Sequence, residues 1–335
     1  MSKGLATKGP ATKDPASNGD NRRPWLRRNL IDWVEAGLAV GLTGLLRCLP
    51  LPAASSLGGW VARTIGPPLG VSKRAERNLK LAMPELGAPE RAAIIRAMWD
   101  NMGRTVVELT QMGRYRLPGE SPYLEFEGRE HVVAALEAKR PIACVSGHYG
   151  NWELPVLAGL SLGMQVVRVY RTANNPIIDR LITRMRRPGG GRLLPKSTGS
   201  RAMIVAARKG EPMGILFDQK LNEGETLPFF GHPANTTTLP AWLAVRFGYA
   251  VLPTRTVRID GCRIRIIVEP PVEPPAEGTD EERITAMTAE LNRVLERWIR
   301  DQPGHWFWLH NRWGKWRGET LVPPAFNGPG GASAR

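Results

Sequence analysis

Cysteine is scarce, with three in 335 residues. Cys48, Cys144 and Cys262 stand too far apart to frame a disulfide scaffold or a zinc site, and two of them lie in apolar runs, which suits buried thiols in a reducing compartment. Long apolar runs are missing too. The uncharged stretch from Ala36 to Leu46 falls well short of the roughly 20 residues that a spanning helix needs. Acidic residues are few against basic ones, 31 to 46, for a net charge of +15. Nucleic acid, anionic lipid and acidic protein are all admissible partners on that balance, and charge alone does not choose. His131, His232, His305 and His310 show no His-Glu-x-x-His spacing, and Gly189 to Gly191 lack a following Lys-Ser or Lys-Thr. Zinc-hydrolase and P-loop chemistry are thereby set aside, and no metal or other cofactor is expected. No nucleic-acid-binding motif accompanies the charge, so no nucleic-acid partner is expected.

What the chain does have is tryptophan, eleven against five tyrosines. Several sit beside Arg or Lys, as amphipathic residues do at a membrane surface, although core packing accounts for them equally well. Residues 1–29, rich in Lys, Arg, Pro, Gly, Asn and Ser, read as a disordered basic tail. From Leu30 the apolar positions Ile31, Val34, Leu38, Leu42, Leu45 and Leu49 recur at helical spacing, with Gly37, Gly41 and Gly44 on another face. Arg22, Arg23, Arg27, Arg28, Trp25 and Trp33 form a basic and aromatic collar around its start. Residues 30–50 are therefore expected to be an anchoring helix in the interface or partly inserted, and a secretory signal is disfavoured because no small-residue cleavage site follows. A core helix behind a solvated tail is the alternative.

Helices are expected at about 55–65, 72–82 and 89–113, after which short apolar runs alternate with longer periodic segments. Strands are expected at 123–127, 142–145, 165–169, 213–217, 251–259 and 263–268. Helices are expected at 129–138, 151–162, 174–187, 199–209, 238–248 and 279–300. That rhythm predicts an α/β fold, a mixed sheet flanked by helices, over residues 51–320, with a loose Pro- and Gly-rich tail at 321–335.

The segment Gly147 to Glu153, GHYGNWE, follows the apolar run PIACVS and precedes a helical pattern. His148 is thus placed on a strand-to-helix loop, at the end of an α/β sheet where ligands bind. On one continuous helix His148 and Glu153 would stand about 140° apart, so pairing them needs His148 in the loop. Acyl transfer to a hydroxyl calls for a base near neutral pH and a carboxylate that fixes the imidazole tautomer, and this pair supplies both. Gly147 and Gly150 would let backbone N–H groups approach a developing oxyanion.

GHYGNWE resembles the His-x4-acid motif of glycerolipid-type acyltransferases. The stretches VYRTANNPIIDRLITRMR (169–186), Asp218-Gln219, PFFG (228–231) and WFWLHNRW (306–313) follow in the order of one branch, the bacterial lipid A late acyltransferases. The resemblance spans roughly residues 30–320, and the Glu of the first motif, where many glycerolipid enzymes carry Asp, also resembles that branch. It implies a glycerolipid-acyltransferase-like fold with an acyltransferase domain over 51–320. It implies His148 as base and Glu153 as its partner, with Arg186 and Asp218 at further functional positions. It also implies acyl carrier protein as donor, a Kdo2-lipid IVA-like lipid A precursor as acceptor, and a place on the cytoplasmic side of the bacterial inner membrane.

From residue 168 to residue 201 nine basic side chains face the single acid Asp179. From this region Arg168, Arg171, Asn175 and Arg187, together with Gln219, are the expected substrate-binding set, since the planar Arg fork suits phosphate and carboxylate. A solvated basic face is the plainer alternative. Rival functions stay open at this point: transfer to a lysophospholipid, ornithine lipid or glycolipid, a thioesterase, and a non-catalytic lipid-binding protein.

Overall fold

The computed structural model describes residues 25–116, 119–221, 224–317 and 320–322. The chain opens with helices α1 (Trp25–Cys48), α2 (Leu51–Ile65), α3 (Ser72–Ala82) and α4 (Ala88–Thr110). Helix α1 starts at Trp25, so residues 25–29, read above as tail, are helical; the tail before them lies outside the described residues. Pro at the start of α2 carries no N–H to leave unsatisfied, which lets that helix begin four residues earlier than expected. Helices α2 and α4 cross closely where glycines meet: a Cβ on Gly103 would stand 2.2 Å from the Gly58 carbonyl.

The central sheet holds β1 (Leu124–Glu127), β2 (Ile142–Ser146), β3 (Val167–Tyr170), β4 (Arg192–Pro195), β5 (Met213–Leu216), β8 (Ala250–Asp260) and β9 (Arg263–Val268). Its order is β1-β9-β8-β2-β5-β3-β4, and every neighbouring pair is parallel except the hairpin β8–β9, which makes it mixed as expected. Two hairpins stand apart: β6 (Glu225–Phe229) with β7 (His232–Thr236), and β10 (Lys315–Arg317) with β11 (Thr320–Val322). β4 and both hairpins go beyond the sequence reading. β6 and β7 each carry Pro and turn at Phe230 and Gly231, both at positive φ, a composition that reads as loop. Residues 321–322, expected in the loose tail, are strand; residues 323–335 lie outside the described residues.

Alternation along β2 sends Ala143 and Val145 to one face and Ile142 to the other. The first face packs under α8 (Lys196–Arg208), α9 (Leu239–Phe247) and α10 (Asp280–Asp301), the second under α5 (Arg129–Glu137) and α6 (Pro155–Ser161). Trp306, Trp308 and Trp313 are fully buried in the first cluster, around Phe229 and Phe230. These three serve packing, not a lipid interface.

Helix α1 buries only Ala36 and Leu46 among its described residues and leaves Trp33 68 % and Leu38 71 % exposed, along with Leu30, Val34, Leu42 and Leu45. Trp60, Val61 and Ile65 of α2 are exposed as well. Among the described residues no helix is long and apolar enough to cross a membrane.

Candidate active site

β2 and β5 are parallel neighbours with Ser146 opposite Leu216. Two residues beyond each carboxyl end stand His148 and Asp218, so the register alone sets them side by side. His148 Nδ1 lies 2.8 Å from Asp218 Oδ1, and the His148 backbone N–H donates to Oδ2 at 2.8 Å. Trp306 Nε1 donates to the same oxygen at 2.9 Å. Asp218 is fully buried. Burial alone would raise its carboxyl, but the adjoining His148 ring, with His310 and the His148 N–H, holds it well below the usual carboxylate range. An ionised Asp218 fixes the imidazole proton on Nδ1 and leaves the Nε2 lone pair facing outward, where Gln219 Nε2 approaches to 3.3 Å. The arrangement is one in which a histidine, oriented by a buried acid, could take a proton at Nε2.

The carboxylate partner of His148 is therefore Asp218 and not Glu153. Glu153 sits in the same loop, ahead of α6, which begins only at Pro155. Its N–H is held by Asn151 Oδ1 at 3.2 Å, and both its oxygens are taken by the Arg186 fork, Nε to Oε2 at 2.9 Å and Nη2 to Oε1 at 2.5 Å. Arg186 stands at the C-terminal end of α7 (Pro176–Met185). Burial works against the Arg186 charge, yet the Glu153 contacts keep it above its ordinary value. Arg168 of β3 belongs to this group: burial lowers it, Glu153 and Arg186 act on it with opposite signs, and it donates to the Gly190 carbonyl at 3.1 Å. Gly150, offered above as an oxyanion donor, is committed elsewhere, its N–H donating to the His305 carbonyl at 3.0 Å. Its φ of +57° and its contact with Thr256 leave no room for a Cβ.

The expected substrate-binding set divides. Arg171 and Arg187 are exposed, and Gln219 reaches the base. Asn175 is not free to bind: its Oδ1 caps α7 by accepting from Ile177 and Ile178, and its Nδ2 donates to the Asp32 carbonyl at 2.8 Å, tying α7 to α1. The sequence reading missed His310 and Trp306. His310 stacks edge-on against the His148 ring at 4.8 Å. His148, Asp218 and His310 offer metal-ligating atoms within 4.8 Å of one another. Three N–H donors, from the His148 ring, the His148 backbone and Trp306, hold the Asp218 oxygens.

Burial pushes His310 down to about 4, with His148, Arg312 and Arg74 adding to the effect against Asp218, and burial likewise brings His305 to about 4. Neutral His310 adds no second cation when His148 takes a proton. It also has a cost in acid. Above the ordinary imidazole value both rings are neutral whether the chain is folded or not. Between pH of about 6.5 and 4 only the unfolded chain binds those protons, so stability falls by roughly 3 kcal/mol per ring across that window. Urea midpoints at pH 7 and 4.5 should show the loss, and His310→Phe should remove about half of it; an unchanged pH slope in that variant would refute the assignment.

A model of the family described as bacterial lipid A biosynthesis acyltransferase matches residues 22–315. The chain is 29 % identical over 288 residues to the lipid A biosynthesis lauroyltransferase of Escherichia coli K12, covering 82 % of this chain and 90 % of that one. It is 25 % identical over 280 residues to the palmitoleoyltransferase of that organism, covering 82 % and 89 %. Against the myristoyltransferase the identity is 24 % over 268 residues, covering 77 % and 79 %.

Proposed function

The chain belongs to the bacterial lipid A biosynthesis acyltransferase family and is an acyltransferase, and from that premise we propose that it moves a fatty acyl group from acyl carrier protein to a hydroxyl of a Kdo2-lipid IVA-like lipid A precursor. The observation that carries the reading is the His148–Asp218 pair beyond the carboxyl ends of adjacent parallel strands. In the proposed step the acceptor hydroxyl displaces the Gln219 contact and gives its proton to His148 Nε2. Its oxygen adds to the thioester carbon. The tetrahedral adduct then expels the carrier's thiolate, which takes the proton back from Nε2, leaving an ester and a free thiol. No covalent enzyme intermediate is needed. In this reading Arg186, Arg168, Arg171 and Arg187 supply positive charge for the phosphates of the substrates, with Glu153 holding Arg186 in place.

The exposed apolar face of α1 and α2 supports attachment to the cytoplasmic side of the inner membrane, by lying in the interface, where an insoluble acceptor resides. The full chain in vesicles, given acyl carrier thioester and the precursor, should add one acyl mass to the lipid by mass spectrometry, and His148→Ala should abolish the addition. Acyl release without ester formation would make the protein a thioesterase, and full activity of His148→Ala would make the base assignment wrong.

A further inference from the structure

Helix α3 carries Lys73, Arg74, Arg77 and Lys80 around the lone acid Glu76, and Glu76 is occupied by Arg91 at 2.7 Å. Beside its first turn lies a hollow of about 310 Å³ whose charged lining among the described residues, Lys73, Arg74, Arg77 and Lys315, is cationic, with Asn311 adding an amide. Three features give this hollow a place in the reaction. Arg74 donates to the Leu309 carbonyl at 3.0 Å, and Asn78 donates to the carbonyls of Trp308 and His310 at 2.8 Å each, so α3 is fastened to the strap that carries His310. His310 stands 4.8 Å from the His148 ring, and the charge of Arg74 is felt at His310. On its other side, Gly70 and Val71 of the lining continue from the exposed apolar Ile65 at the end of α2 and Leu69 just beyond it.

A ligand that suits this setting is anionic at one point, apolar nearby and reactive a short distance away. We propose that the hollow between α3 and residues 311–315 binds a phosphate group of the glycolipid acceptor, with the acyl chains against the apolar end of α2 and the sugar hydroxyl turned toward His148. The assignment rests on the acyltransferase reading above. Convergent Arg and Lys donors match the oxygens of a phosphate monoester, and the volume admits part of the sugar that bears it. The adjoining apolar surface favours the lipid over the acyl carrier protein, whose acidic surface has no need of it.

The test reverses two exposed charges that touch neither His148 nor Asp218, Lys73→Glu with Lys315→Glu, in the full chain. Binding is measured by sedimentation with neutral phosphatidylcholine vesicles doped with the phosphorylated precursor or its dephosphorylated counterpart. Loss of charge-assisted hydrogen bonds should cost the variant roughly tenfold in affinity for the phosphorylated lipid and nothing for the other. The KM for acceptor should rise by a like factor, with kcat and the KM for the carrier thioester unchanged. Lys73→Gln with Lys315→Gln, which removes charge without reversing it, should show a smaller loss of the same kind, and it guards against misfolding of the reversed pair. A variant that still discriminates the two lipids overturns the proposal. So does a rise in the carrier's KM alone, which would make the hollow a carrier dock, or an equal loss toward phosphatidylglycerol vesicles, which would reduce it to general surface charge. If the wild type binds the phosphorylated lipid through these lysines yet transfers no acyl group, the acyltransfer reading falls and the phosphate site stands.

Discussion

Asp218→Asn should lower kcat by about 10³- to 10⁴-fold while leaving the acceptor KM near its wild-type value. The argument is one of tautomers. Ionised Asp218 accepts from His148 Nδ1, from the His148 backbone and from Trp306, and the ring can then present only a bare Nε2 to the substrate. An asparagine keeps the volume, but its amide can face Nδ1 with an N–H. That would place the imidazole proton on Nε2, where the base is needed, and withdraw the charge that stabilises the imidazolium formed during attack. Glu153→Gln should act differently. Its partner is Arg186, so the loss falls on the placing of a positive charge, and roughly ten- to a hundredfold in kcat/KM is expected, the scale of one or two charge-assisted hydrogen bonds. Steady-state kinetics on the two variants, with circular dichroism to confirm folding, give the ranking. If Glu153→Gln proves the more damaging and Asp218→Asn nearly silent, the catalytic carboxylate is Glu153 after all.

The same pair shows how far the sequence is legible. An apolar run ending in Ser146, then GHYG, then helical periodicity is enough to put His148 on a loop at the sheet's functional edge. Nothing local tells which carboxylate meets it. Spacing along the chain favours Glu153, five residues away, whereas Asp218 lies seventy residues on and becomes a neighbour only because β2 and β5 pair in parallel with Ser146 opposite Leu216. A signal was nevertheless present: GILFDQ places an acid two residues past a strand, as CVSGH places the histidine. Strand order, which would join the two, is fixed by packing of whole faces and not by any segment. His310 was illegible for a related reason, since it reaches the site on a strap held by α3 and by buried Trp306 and Trp308. The β6–β7 hairpin was hidden by its prolines, because its place is secured by Phe229 and Phe230 against those tryptophans and not by strand propensity.

Glu108→Ala should destabilise the fold by about 3–5 kcal/mol, the scale of breaking a buried ion pair from one side. Glu108, on α4, is fully buried and accepts from Arg258 of β8 at 2.6 and 3.0 Å, from Ser55 of α2 at 2.6 Å and from Asn151 at 2.7 Å. Its removal strands a guanidinium and an amide away from water. It also loosens the loop that carries the base: Asn101, which contacts Arg258, donates to the Gly150 carbonyl at 2.9 Å, and Asn151 directly follows. Thermal melting should fall by roughly 5–8 °C, and kcat should drop even at temperatures where the variant is fully folded. Adding Arg258→Met should restore much of the stability, because the orphaned charge is then gone, but not the activity, because Asn151 still lacks its anchor. Stability losses that simply add in the double variant would mean that the two residues do not act as a pair. Activity recovering together with stability would mean that the network holds up the fold without positioning His148.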